Sequence, residues 1–362
     1  MTRRSTPSDA FRRQVRRPVR RASAQTNLML MLLSFAGSVF LTRGFLTLTG
    51  YPQLGGGGLH VAHVLWVGLL LFVAALLPLI WANRWVYRTG ALLAGAGVGL
   101  FIDEVGKFIT ASNDYFFPAA APIVYAFFLV SVLVYLRVAR PREADARTEL
   151  YAAFGEMEEI LDGDLSRPER SALAARLRRA EVKASRADLA RLARDLRAFV
   201  SRRRQPSPVP RGSWGDALRR FARWERRLFP RARLQAVLVG GLLGLAVLEF
   251  KNPAETLLGE QLPGLFGSFT GRHFGIEAAP RLFALRVSLE IAIGLALFLG
   301  AVLLILRREK AGLAVGTLAL LLSLTVVNLV VMYFEQFSTL VTAAMQLTVL
   351  LGILRYRRRF PS

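Results

Sequence analysis

Apolar runs of about 18 residues or more recur along this chain, and no other feature restricts its fold so severely. In hydrocarbon, every backbone N–H and C=O must find its partner inside the protein, so a run of that length is committed to helix. Eight runs qualify, at approximately 27–49, 61–82, 89–109, 117–137, 234–251, 282–306, 311–334 and 336–354. The expected fold is all-α, a polytopic integral membrane protein with eight transmembrane helices. A hydrophobic content of 53% over 362 residues agrees with that class.

The formal net charge of +23 would by itself suggest a nucleic-acid partner. Position argues otherwise, because the arginines sit beside the apolar runs. The N-terminal arm carries eight of them against one acid. Arg84 and Arg88 follow the second run, Arg307, Arg308 and Lys310 the sixth, and Arg355, Arg357, Arg358 and Arg359 the eighth. The stretches "GYPQLGGGGL" and "TASNDYFF" contain no lysine or arginine, and 252–281 holds only Arg272 and Arg281. With eight spans, every arginine-rich connection falls on one side, which the positive-inside rule makes cytoplasmic, together with both termini and 138–233. Only four of the 48 basic residues are lysine, a bias that fits a GC-rich bacterial genome and hence a bacterial inner membrane. The first run has no A-x-A cleavage site and reads as an uncleaved signal anchor. Trp66, Trp81, Trp85 and Tyr87 near the run ends match an interfacial aromatic belt.

This gives a basic arm at 1–26, a first four-helix half at 27–137 and a cytoplasmic helical insert at 138–204. A Pro-rich linker with a basic amphipathic helix follows at 205–233, then a second four-helix half at 234–354 and a basic tail at 355–362. The halves align when "GLLLFVAALLPLIW" is set on "GLALFLGAVLLILR", matching Gly68 with Gly294 and Phe72 with Phe298. An even number of spans per half preserves orientation, so the repeat would be parallel, four plus four. In the insert, "SRPE" at 166–169 has the form of a capping box, "SRAD" at 185–188 marks a weaker start, and Leu189, Leu192, Leu196 and Phe199 recur at helical spacing. In "WGDALRRFARWERRLFP", Trp214 and Trp224 share a helix with Arg219, Arg220, Arg223, Arg226 and Arg227. That combination suits an anionic lipid surface at the cytoplasmic face.

Ionisable residues at membrane depth are the candidate site. Charges there face a protein interior or a water-filled cavity. Arg43, Asp103, Glu104, Lys107, Arg286, Glu290 and Glu335 all fall in the outer half of their spans, and Glu249 and Lys251 close the fifth. Asp103 and Lys107 are i,i+4, Glu104 and Lys107 i,i+3, and Arg286 and Glu290 i,i+4, so each can neutralise a helical neighbour. Two readings follow: salt bridges that fix helix packing, or a polar vestibule open to the outside that binds an ion, a polar solute or a lipid headgroup.

Cysteine is absent, which excludes disulfides and thiolate chemistry. Any zinc site would run through the three histidines, His60 and His63 in "HVAH" and His273, with a carboxylate such as Asp103. Ceramidase-type membrane hydrolases use histidines and an aspartate in this general way, but their motif spacing is not reproduced. Nucleotide-binding and serine-hydrolase motifs are missing. "GAGVG" at 95–99 and "GGLLG" at 240–244 read as small-residue packing faces. The segment "GLFIDEVGKFITASNDYFFP" at 99–118 resembles a segment of uncharacterised bacterial multi-pass membrane proteins, a likeness that implies no activity. Transporter-like or channel-like binding in an outward-facing cavity is the leading expectation. The alternatives are a membrane-embedded metal-dependent hydrolase and a non-enzymatic scaffold or regulator acting through the insert.

Overall fold

A computed structural model describes residues 18–49, 64–112, 114, 117–140, 143–161, 165, 167–202, 230–258, 279–336 and 339–360. Among these, the ordered elements are all helical. They are α1 Ala24–Thr49, α2 Val64–Ile80, α3 Arg84–Asp103, α4 Val105–Ile109, α5 Ala120–Ala139, α6 Ala146–Leu161, α7 Arg167–Lys183, α8 Ala187–Arg202, α9 Arg231–Leu258, α10 Pro280–Ile305, α11 Glu309–Leu322, α12 Asn328–Glu335 and α13 Thr339–Arg359. A π-helical turn, Ser323–Val327, joins α11 to α12 into one continuous rod.

Seven of these rods are long and apolar enough to cross a membrane. The second expected span, 61–82, is the exception. Its described helix α2 has 17 residues, about 25 Å of rise against a hydrocarbon core of about 30 Å. Residues 61–63 lie outside the described part. Boundaries also shift in an informative way. Arg84 and Arg88 were expected in a connection but occupy the first two turns of α3. Cations oppose the helix dipole there, and Arg84 answers it by pairing with Glu159 of α6. The expected third span, 89–109, is broken: α3 stops at Asp103, Glu104 is a turn residue, and α4 restarts at Val105.

The chain divides into two compact units. Met1–Met31, Phe72–Leu93 and Leu133–Ser213 form one, and Leu32–Leu71, Ala94–Val132 and Trp214–Ser362 the other. In the first, α6, α7 and α8 pack around Leu150, Ala153, Ile160, Leu173, Leu177, Ala180, Ala193 and Val200. α7 begins at Arg167 and α8 at Ala187, where the two start signals put them, although Ser166 itself lies outside the described residues. The buried stripe of α8 is Leu189, Ala193, Leu196 and Val200. Leu192 and Phe199, expected on that stripe, are exposed. The 189/193/196/200 spacing follows one face as closely as the leucine series does, and the small Ala193 lets α8 approach its neighbours. Glu149, almost fully buried, is held by Arg176 at 3.1 Å and Arg179 at 2.9 Å.

In the second unit, Leu238, Leu242, Leu245, Leu297, Ala301, Leu304, Leu313, Leu320 and Ile353 form an apolar core. It runs from the end of the helices where Arg231 donates to Tyr356 (3.2 Å) and Glu309 (2.9 Å) past their middle, through Ile293, Val327 and Val331. Lipid tails are as apolar as leucine, so close packing rather than hydrophobicity holds such helices together. α10 and α11 cross backbone on backbone: a Cβ on Gly312 would lie 2.9 Å from the Gly300 carbonyl oxygen. In "GAGVG", Gly99 likewise seats against Ser38 and the Phe35 carbonyl of α1; in "GGLLG", only Gly241 is in close contact, against Val349. Phe35, Val39, Ala121, Val124, Tyr125 and Met332 make a further core from α1, α5 and α12.

Gly312→Val should lower stability by about 1–3 kcal/mol, since the obstructing atoms belong to backbone. Gly240→Ala, which meets open space, should be neutral. Thermal unfolding in detergent checks both. Asp145 caps α6 by accepting the Thr148 N–H at 2.8 Å; hydrogen bonding to the Thr148 side chain, and then to that N–H, holds its carboxyl below the usual range. Asp145→Ala should therefore cost about 1 kcal/mol. That contribution is present above the unfolded carboxylate value of about 3.9 and is lost as pH falls through the lower folded value. Hydrogen exchange of the first turn of α6, followed against pH, reads it.

Candidate functional site

The break after α3 creates the first ionic cluster. An i,i+4 pair between Asp103 and Lys107 needs unbroken helix, and the turn at Glu104 removes it. Asp103 instead meets Arg43 of α1, whose Nε donates to its Oδ1 at 2.6 Å while Nη2 donates to its backbone oxygen at 3.1 Å. Arg43 is 1% and Asp103 2% exposed, so this pair is taken wholly out of solvent. Such burial is tolerated only with close geometry and further hydrogen bonds, and the carbonyl supplies one. Lys107 donates to Glu104 across one turn at 3.3 Å, as the i,i+3 spacing predicts.

The second cluster belongs to α10 and α12. Arg286 Nε donates to Glu290 at 2.9 Å, the expected i,i+4 pair, and Nη2 pairs with Glu335. The guanidinium also faces the rings of Phe283 and Phe334 at 5.8 and 5.4 Å, within cation–π range. Just beyond Glu335 the chain turns at buried Gln336, with φ 49° and ψ −129°. A side chain rarely adopts that conformation, which costs about 1–3 kcal/mol and persists only where the surroundings impose it.

A third group was not anticipated from the sequence as a site. Glu249 of α9 is buried at 7% exposure, and its Oε1 accepts from Ser323 Oγ at 3.1 Å and Gln346 Nε2 at 3.0 Å. Gln346 also reaches Ser323 at 2.8 Å and accepts from Asn328 Nδ2 at 2.9 Å. Asn328 in turn hydrogen-bonds the Tyr125 side chain. Ser323 and Asn328 bracket the π turn, which supplies the rotation that puts both on one network. The Tyr125 hydroxyl donates to the Leu324 carbonyl at 2.5 Å, satisfying a backbone group inside that turn. π turns of this kind are commonly found at functional sites. Both the second and the third group draw on the Glu309–Glu335 rod, with Glu335 at its end and Ser323 beside its midpoint.

Hydropathy reading passed over Ser323, Asn328 and Gln346 because neutral side chains leave an apolar run intact. An Asn and a Gln within otherwise apolar spans were the available signal. His60, His63 and His273 lie outside the described residues, as do Trp214, Arg219, Arg220, Arg223, Trp224, Arg226 and Arg227. Among the described residues, no group of three or more histidines and acids converges closely enough to hold a metal ion. In comparisons with known proteins, no family model, curated protein or solved structure matches the chain.

Removing one partner of the Arg43–Asp103 pair strands a buried charge. Arg43→Leu should cost about 3–5 kcal/mol, whereas Arg43→Leu combined with Asp103→Leu should recover most of it. Denaturation of the two variants in the same detergent tests this.

Proposed function

We propose that this is a transporter-like membrane protein of the bacterial inner membrane that carries protons through the polar system centred on Glu249. One observation carries the reading. Asp103 and Glu290 are hydrogen-bonded by arginine, but the hydrogen bonds to Glu249 come from a hydroxyl and an amide, both on Oε1. Oε2 can therefore accept or lose a proton while both bonds persist. Chains of acidic and polar side chains at membrane depth are how pumps and transporters relay protons.

The distribution of polarity supports the same reading. Polar groups extend from Glu335 to about the middle of the helices, alongside the apolar core, and beyond them α10 and α11 close on each other at Gly300–Gly312. The Glu335 end is the side from which a proton would enter. Under the positive-inside orientation, with α2 counted as an eighth span and α6–α8 as a cytoplasmic insert between two four-helix halves, that side faces out. Arg43, Asp103, Glu104 and Lys107 then lie at the outer ends of the first half. Their pairing makes them struts of the mouth.

Glu249→Gln is the decisive variant, since its amide oxygen keeps both hydrogen bonds and nothing titrates. In proteoliposomes carrying a trapped pH-sensitive dye, wild type should move protons on an imposed gradient. Glu249→Gln should fall to the level of empty vesicles with unchanged thermal stability. A hydrophobic carbodiimide, which traps protonated carboxyls in apolar surroundings, should label Glu249 at low pH in the wild type. Absence of both flux and labelling in the wild type, or full flux in Glu249→Gln, would leave the network as packing alone.

A further inference from the structure

A separate cavity of about 390 Å³ opens in the first unit, within the range of roughly 300–1,000 Å³ usual for ligand sites. It lies between the N-terminal ends of α1 and α3 and one face of α6. Four arginines line it (Arg20, Arg21, Arg84 and Arg88), together with Tyr87, Tyr151, Asn27, Glu156 and Glu158. Several are fixed in place. Arg21 lies 3.6 Å over the Tyr87 ring, Arg20 donates to the Val138 and Arg140 carbonyls, and Arg84 pairs with Glu159. The lining is thus net basic, and three of its four arginines are held in place.

Two lining residues ask for the opposite kind of partner. Asn27 Oδ1 and Glu156 Oε2 are buried acceptors without a hydrogen-bond donor, although the other Glu156 oxygen takes Arg176 at 3.1 Å. A buried acceptor left unmatched costs about 1–3 kcal/mol, so the cavity favours a ligand that donates hydrogen bonds. Both helices that frame it are long and apolar enough to cross a membrane, and they frame it with their first turns. The exposed pair Trp81–Trp85, with rings 6.1 Å apart, marks the interfacial level beside it. The cavity mouth therefore lies at headgroup depth.

We infer that this cavity binds the headgroup of an ethanolamine phospholipid, its phosphate among Arg21, Arg84 and Arg88 and its ammonium on Asn27 and Glu156. Phosphate and arginine match in charge and geometry, and basic pockets between membrane helices on the cytoplasmic side hold lipid headgroups. The ammonium supplies the N–H donors that the two orphan acceptors require. A choline headgroup carries the same charges but no such donor, and a glycerol headgroup has no cation. The inference stands independently of the proton pathway, since it uses other residues.

The test is native mass spectrometry of the full-length protein, titrated with ethanolamine, choline and glycerol phospholipids of identical chains and with soluble phosphoethanolamine. One ethanolamine lipid per chain should bind about tenfold or more tightly than either other lipid. Arg21→Gln with Arg88→Gln should abolish that binding, and Asn27→Leu should reduce the ethanolamine lipid to the level of the choline lipid. Arg88→Gln alone changes an exposed side chain, so it keeps the test valid if the double variant does not fold; it too should weaken binding. Equal or tighter binding of glycerol or choline lipid overturns the ammonium assignment. Soluble phosphoethanolamine binding as tightly as the lipid overturns the membrane source, and unchanged binding in the arginine variants overturns the site.

Discussion

A polar group inside a bilayer has no water to fall back on, and the arrangement of this chain follows from that rule. Backbone groups are satisfied by helix almost everywhere. Where the helix departs from α geometry, at Ser323–Val327, a tyrosine from another rod donates to the Leu324 carbonyl. Side chains obey the same rule. Asp103 has Arg43, Glu290 and Glu335 share Arg286, and Glu249 is held by Ser323 and Gln346. Each buried charge thereby dictates which helices must be neighbours, a service that apolar contacts cannot render in a solvent as apolar as they are.

Glycine supplies the complementary device. The Gly300–Gly312 crossing brings two backbones into contact, so van der Waals packing adds there to the hydrogen bonds that Arg231 and Gln235 make. The rods of the second unit are thus joined by two chemistries, each placed where it works. Packing of small residues draws the helices together at one end, while a buried ion pair and hydrogen bonds join them at the other.

Much of this was legible in the sequence, for identifiable reasons. Length and hydropathy report directly on the cost of exposing backbone to lipid, so seven of the eight expected spans emerged, with ends a few residues out. The pairs Arg286–Glu290 and Glu104–Lys107 were readable because helical spacing alone brings them together. Arg43–Asp103 was not, since sixty residues separate them and only the tertiary arrangement joins them. The role of Glu249 was hidden for another reason. At the end of an apolar run it looks like a terminal charge, and its two partners, Ser323 and Gln346, are neutral residues on two other rods. A π turn also leaves no signature in hydropathy, because it alters rotation and not composition.

That turn has a mechanical consequence. A π turn stores one residue more than an α-helix would over the same rise, and an α-helix advances about 100° per residue. If Ser323–Val327 rewound to α geometry by passing that residue along, everything on one side of it would swing by about that angle. Asn328 would leave Gln346, and Ser323 or Glu335 would rotate off the polar face, depending on which side yields. A single residue of slack thus sets whether the polar chain is continuous or cut. The Tyr125 hydroxyl satisfies the Leu324 carbonyl in the π form, a bond that such a rotation would have to break.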